Sequence, residues 1–285
     1  MARRKYGVIL GGGTARGAVQ PPILRRLRAE LGGPPAAIAG VSVGAVNAAL
    51  AGEGRLDDLD EEWARIDGTR SFARRTIPGL DIARTLAPTR ARLEARAASS
   101  RLVCPVWVGL VDIASKSYRA IALHSLPNLR DRWDAIIGSA RQPLLMVEEC
   151  FQGRPVMDGG AGGHVLPPLP NWDEMDEVHI VSCSPLGQDR VEHPDPPDRA
   201  RGVKNAIECF FDMSLSRIAN EDIEDLREYA RKVPTYLYAP TSWAEVGPGF
   251  AAKPEDIVMR LETGERMYRN RQRLLVGGPM RRPVG

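Results

Sequence analysis

Cysteine, lysine and long hydrophobic runs are scarce in this sequence, and each scarcity removes a class of function. There are four cysteines, Cys104, Cys150, Cys183 and Cys209. They stand far apart, without the close pairing of a structural zinc site or the density of a secreted disulfide framework, and read as reduced, mostly buried thiols. Of 39 basic residues only Lys5, Lys116, Lys204, Lys232 and Lys253 are lysines, a bias that GC-rich coding explains. The formal charge of +3 is near balance and gives no reason to expect a nucleic-acid partner. No segment approaches the roughly 20 apolar residues of a membrane-spanning helix. The basic start Met1-Ala2-Arg3-Arg4-Lys5 is followed by an apolar run that stops after Val8-Ile9-Leu10 at three glycines, too short for an export signal. The expectation is a cytoplasmic protein whose 285 residues suffice to bury about three quarters of the unfolded surface without disulfides.

What is present is a repeated strand-loop-helix plan. Tyr6 to Leu10 is a short apolar run ending in Gly11-Gly12-Gly13, and behind it Ile23-Leu24, Leu27 and Leu31 recur at helical spacing. A second unit follows, with Ala36 to Val41 as a buried strand, Ser42 at the turn, and Val43 to Ala51 as a small-residue helix ended by Gly52. Two such units in succession imply parallel strands joined by right-handed crossovers. From Leu56 to Ser100 the pattern reads as a helical, Arg-rich insertion, broken at Ile77-Pro78-Gly79 and Ala87-Pro88-Thr89. A hairpin (Val103 to Ile113, Tyr118 to Leu123), a helix (Asp131 to Ala140), a strand at Val156-Met157 and another from Val178 to Ser182 come next. Residues 188–201, with Pro194, Pro196 and Pro197, read as an exposed loop. Beyond it the spacing predicts a helix from Val203 to Lys232, a strand from Thr235 to Ala239 and a helix from Pro254 to Leu275.

The chemistry concentrates at Gly40-Val41-Ser42-Val43-Gly44. A serine hydroxyl becomes a useful nucleophile only when exposed, deprotonated by a neighbour and placed beside donors for the developing oxyanion. Small residues around the serine permit a sharp strand-to-helix bend, and Ser42 then stands at a helix N-terminus that favours negative charge. The upstream loop Gly11-Gly12-Gly13-Thr14-Ala15-Arg16-Gly17 presents backbone N–H groups, as an oxyanion hole requires. Phosphate binding is its rival. A dinucleotide loop would need its third glycine where Arg16 stands, and the Gly-Lys-Ser/Thr of a Walker loop is missing. For the base there are four histidines; His124, His179 and His193 sit in structural or solvated settings, which leaves His164. Asp158 competes with it: it ends a strand, and Gly159-Gly160 let a partner approach.

Taken together, these segments resemble the patatin-like phospholipase family, through the glycine-rich loop, the Gly-x-Ser-x-Gly elbow and Asp158-Gly159-Gly160 in the family's order. The stretches Ala135-Ile136-Ile137-Gly138-Ser139-Ala140-Arg141-Gln142-Pro143 and Phe151 to Gly160 are similar to the family's approach to its aspartate. The resemblance implies a three-layer α/β/α fold with a mainly parallel sheet, and a single domain over residues 1–285, its motif-bearing core about 6–185 and a C-terminal extension about 200–285. It implies Ser42 as nucleophile and Asp158 as sole base, acting on a phospholipid or other lipid ester without calcium, metal or cofactor. The oxyanion hole would lie among Gly11, Gly12, Gly13, Thr14 and Arg16, with Gly17, Gly40, Gly44, Gly159 and Gly160 supporting the motifs. Two features depart from the pattern. The family's third loop glycine falls on Thr14, and Pro21-Pro22 implies a helix that starts late or kinks.

Two other readings stand beside this one: a catalytically idle lipid- or protein-binding module on the same fold, and a serine hydrolase using His164. The arginines between Arg70 and Arg101 either dock an anionic bilayer as a peripheral contact or form a solvated face; no clear apolar face accompanies them, which favours the latter. No feature of the sequence sets an oligomeric state.

Overall fold

The computed structural model describes residues 4–65, 73–77, 80–85, 87–97, 101–142, 149–187, 203–247, 249 and 252–275. The proline-rich segment 188–201, His193, and Arg70 and Phe72 of the insertion lie outside the described residues.

Strands β1 (Tyr6–Leu10), β2 (Ala37–Val41), β5 (Val106–Asp112), β9 (Glu177–Val181) and β10 (Thr235–Tyr238) form the parallel heart of the sheet. β6 (Ser117–Ala122), β7 (Glu149–Phe151), β8 (Arg154–Asp158) and β11 (Gln272–Arg273) are antiparallel additions, in the order β11-β10-β9-β1-β2-β5-β8-β7 with β6 also on β5. The parallel strands are buried on both faces, which accounts for the apolar runs of β1 and β2; β9 is equally buried but carries Glu177 and His179.

Alternate strand residues feed two cores. Val8, Leu10 and Ile38 point to one side, where α1 (Gln20–Glu30), α2 (Val43–Gly52), α5 (Leu129–Ser139) and α7 (Pro254–Arg269) add Ile23, Leu27, Leu50, Ile136 and Ile257. Ile9, Ala37, Ala39 and Ile180 point to the other, where α6 (Val203–Ala230) lays down Leu215, Ala219, Ile223 and Leu226 at helical spacing. The fold is a three-layer α/β/α arrangement with a mainly parallel sheet.

Local chemistry explains several boundaries. A 3-10 turn (Thr14–Val19) precedes α1, and Pro21 and Pro22 occupy its first positions, where a missing N–H costs nothing; the helix starts late. The Asn128 side chain accepts from the Asp131 amide and caps α5.

Three expectations are corrected. The insertion is not wholly helical: between α3 (Leu56–Ala64) and α4 (Ala87–Ala97) it contains a hairpin, β3 (Ala73–Ile77) with β4 (Leu80–Thr85), whose last pair is Ile77 with Leu80. Only two residues separate these partners in sequence, so Pro78-Gly79 falls between two strands where the sequence reading took it to interrupt a helix. Strand β7 was not foreseen from its three residues. The last helix stops at Arg269, six residues early, because Gln272 and Arg273 pair with β10.

Candidate active site

The register along β5 brings the site together. β2 runs parallel to β5 as far as Val41 opposite Gly109, and β8 runs antiparallel to it, ending with Asp158 opposite Leu110. Because β6 fills the other edge of β5 from Trp107 to Asp112, β2 and β8 share one edge and meet there end to end. Ser42, the residue after β2, and Asp158, the last of β8, are therefore neighbours although 115 residues intervene.

Ser42 sits at φ 58°, ψ −128°, at the start of α2 and almost fully buried. A non-glycine residue there is strained. The flanking glycines make the bend possible: a Cβ on Gly40 would be driven into the Gly44 carbonyl, and one on Gly44 into the Leu10 carbonyl. The Ser42 amide donates to Ser139 Oγ at 3.0 Å, and that hydroxyl donates to the Gly109 carbonyl at 2.5 Å, so α5 braces the elbow.

Asp158 is wholly buried. Gln142 Nε2 donates to Oδ2 at 2.6 Å and the Gly160 amide to Oδ1 at 2.8 Å. Burial pushes the carboxyl up to about 6, against the pull of hydrogen bonds from Ser42, Gly160 and Gln142. It is ionised at neutral pH yet far more basic than an exposed carboxylate, which suits proton abstraction from a hydroxyl.

The glycine loop packs against the serine, a Cβ on Gly12 falling 3.1 Å from Ser42 Cβ. Its amides are not equivalent. Gly11 N donates to Val181 O at 2.9 Å and Gly12 N to Val165 O at 3.1 Å, while Arg16 N closes onto Gly13 O. The amides of Gly13 and Thr14 are the better candidates for an oxyanion. Thr14 takes φ 55° and folds its hydroxyl back onto Gly13 O at 2.6 Å; a glycine would hold that conformation without strain.

The Arg16 side chain is committed elsewhere. Its two terminal nitrogens reach Asp212 at 2.6 and 2.8 Å, Nε donates to Gly247 O at 2.8 Å, and the guanidinium stacks 4.7 Å over Trp243. Its backbone belongs to the loop, whereas its charge is buried against α6. Gln20, which donates to Gly11 O, and Asn47, which donates to Gly17 O and Gln20 Oε1, complete the loop's supports.

His164, the rival base, has Nδ1 2.6 Å from Asp222 Oδ1, which with partial burial opposing it raises the imidazole above its ordinary value. His124 and His179 lie against Trp107 and Tyr236 respectively. In the insertion Arg90 is held by Glu94 and Asp134, and Arg92 by Glu62, which favours structural ion pairs over a bilayer contact for these two.

Sequence reasoning missed Gln20, Asn47, Ser139, Gln142, Asp212 and Asp222. Gln20, Asn47, Ser139 and Gln142 lie within the family-like core, Ser139 and Gln142 in the stretch leading to the aspartate, whereas Asp212 and Asp222 lie beyond it.

A family model for patatin-like phospholipases matches residues 8–166, more than half of the chain and all three motifs. The chain belongs to the patatin-like phospholipase family. That membership accounts for the order of loop, elbow and aspartate along this patatin-like fold, and it supports lipid acyl hydrolysis in general terms. No curated protein matches the chain. Among solved structures, VipD from Legionella pneumophila is similar at 11% identity and a TM-score of 0.46, over 95% of this chain and 68% of that one. No helix among the described residues is long and apolar enough to cross a membrane.

Proposed function

We propose that this patatin-like protein hydrolyses carboxylic esters of lipids through an acyl-enzyme on Ser42, with Asp158 as its only general base and no calcium requirement. The observation that carries the reading is the end-to-end meeting of β2 and β8 on β5, which sets the Ser42 elbow beside the wholly buried Asp158 carboxyl, raised to about 6 by that burial. Ser42 Oγ attacks the ester carbonyl as its proton passes to Asp158, and the oxyanion is met by the amides of Gly13 and Thr14. Asp158 then protonates the departing alcohol. It next takes a proton from water, whose oxygen attacks the acyl-serine to release the fatty acid and restore the hydroxyl. A fatty-acyl substrate carried by a bilayer implies work at a membrane surface from the cytoplasm.

A fluorophosphonate probe should label Ser42, and Ser42→Ala and Asp158→Asn should each cut turnover of a soluble fatty-acyl ester by about 10³-fold or more while remaining folded. EDTA should leave turnover unchanged. Substantial activity in either folded variant would overturn the dyad, and an unlabelled, inactive wild type would point to an idle binding module. The 2.6 Å His164–Asp222 pair keeps a Ser-His reading in play; a folded His164→Ala variant without activity, beside an active Asp158→Asn, would establish it.

A further inference from the structure

Helix α6 lies wholly beyond the family match, yet it sends two buried carboxylates into the two loops that form the candidate site. Asp212 takes both terminal nitrogens of Arg16 in a forked ion pair, and the Arg16 amide closes onto Gly13 O. Ten residues along the helix, about 15 Å by helical rise, Asp222 accepts three bonds from the loop behind Asp158: His164 Nδ1 at 2.6 Å through Oδ1, and the amides of Val165 and Leu166 at 2.8 Å through Oδ2. The Val165 carbonyl in turn accepts from Gly12 N. A continuous chain of bonds therefore runs from Asp222 through Val165 to Gly12, along the glycine loop to Arg16, and back through Asp212 to the same helix.

We infer that Asp212 and Asp222 are positioning residues for ester cleavage, clamping the oxyanion loop and the loop behind the general base to one helix; the inference rests on the Ser42–Asp158 reading. Neither carboxylate touches the reacting atoms. A forked ion pair fixes both the place and the plane of the guanidinium, which a single neutral hydrogen bond does not. Loss of either anchor therefore lets the Gly13 and Thr14 amides drift from where the oxyanion develops, and an ångström of drift is costly in rate. An interaction with the oxyanion develops only in the transition state, so its loss falls on kcat rather than KM.

The test compares wild type, Asp212→Asn, Asp222→Asn and Asp212→Glu, with Ile223→Ala as a control that opens a cavity in the same helix and leaves both carboxylates in place. Each is assayed well below its melting temperature for kcat and KM on a soluble p-nitrophenyl acyl ester, for fluorophosphonate labelling rate, and for the pH profile. The expected result is a kcat at least about tenfold lower in both Asn variants with KM within about twofold. Labelling should slow in parallel, and the acidic limb near pH 6 should stay in place in Asp212→Asn, because Asp158 is not contacted. Asp212→Glu should regain part of the rate, and Ile223→Ala should keep wild-type kcat. Asn variants with kcat within twofold of wild type, or an Ile223→Ala loss as large as theirs, would overturn the clamp. Should an Asn variant fail to fold, Arg16→Lys and Asp222→Glu decide in its place, by the same kcat and KM criteria. A wild type that neither labels nor turns over would instead remove the dyad, and the clamp with it.

Discussion

Replacing Asp158, the proposed general base, with Asn should change the protein's stability by an amount that grows with pH. The Asp158 carboxyl, ordinarily at 3.8, is raised to about 6 by complete burial. At ~1.4 kcal/mol for each tenfold change in proton affinity, holding it ionised in the native state costs about 3 kcal/mol relative to the unfolded chain. A native carboxyl that binds its proton more tightly than the unfolded one favours the fold below pH ~4, and that advantage is lost as pH rises through about 6. The Asp158→Asn variant has no charge to bury at this position. The new amide oxygen can accept from the Gly160 amide, and a flip of the Gln142 amide offers the new nitrogen an acceptor; any residual misfit is the same at every pH. The stability difference, variant minus wild type, should therefore grow by about 2.4 kcal/mol between pH 4 and pH 8, equivalent to about 5 °C or more in melting temperature for a domain of this size. Urea unfolding across that range, with all other titrating groups common to both proteins, isolates the effect. A difference that is flat with pH, or that shrinks towards pH 8, would refute the reasoning.

Two further substitutions probe the backbone of the site. Thr14→Gly removes a β-branched residue from φ 55° and should raise stability by about 0.5–1 kcal/mol, the relief of left-handed strain outweighing the added freedom of the unfolded chain; a lower melting temperature would count against it. Gly44→Ala drives a methyl into the backbone carbonyls of Leu10 and Gly11, neither of which can yield alone. It should cost about 3 kcal/mol or more in urea unfolding and abolish fluorophosphonate labelling, and a fully labelled, stable variant would show that the elbow tolerates a Cβ.

The features legible in the sequence are those whose physics is local. Gly40 and Gly44 announce the elbow because only a residue without a side chain fits a bend this tight, and Gly159-Gly160 mark the aspartate for the same reason. The strands β1 and β2 announce themselves because burial on both faces demands unbroken apolar runs. The supports of the site left no such trace. Gln142 reaches Asp158 across a strand end, and Asp212 reaches Arg16 across 196 positions of sequence; each looks like an ordinary polar residue until the fold exists. The β3–β4 hairpin was hidden for another reason: Pro-Gly ends a helix and turns a hairpin equally well, and arginine-rich strands carry too weak an alternation to choose.

The meeting of β2 and β8 on one edge of β5 separates chemistry from connectivity. The distance between Ser42 and Asp158, the proposed nucleophile and base, is set by strand hydrogen bonds, Val41 against Gly109 and Leu110 against Asp158, and owes nothing to the length of chain that joins them. The insertion between α2 and β5, which holds α3, the β3–β4 hairpin and α4, need only bring the backbone back to that edge. The stretch from β3 to α4 is thus free to lengthen, shorten or change composition while Ser42 and Asp158 keep their places. In evolutionary terms the joint uncouples the pairing of these two residues from the chain that links them.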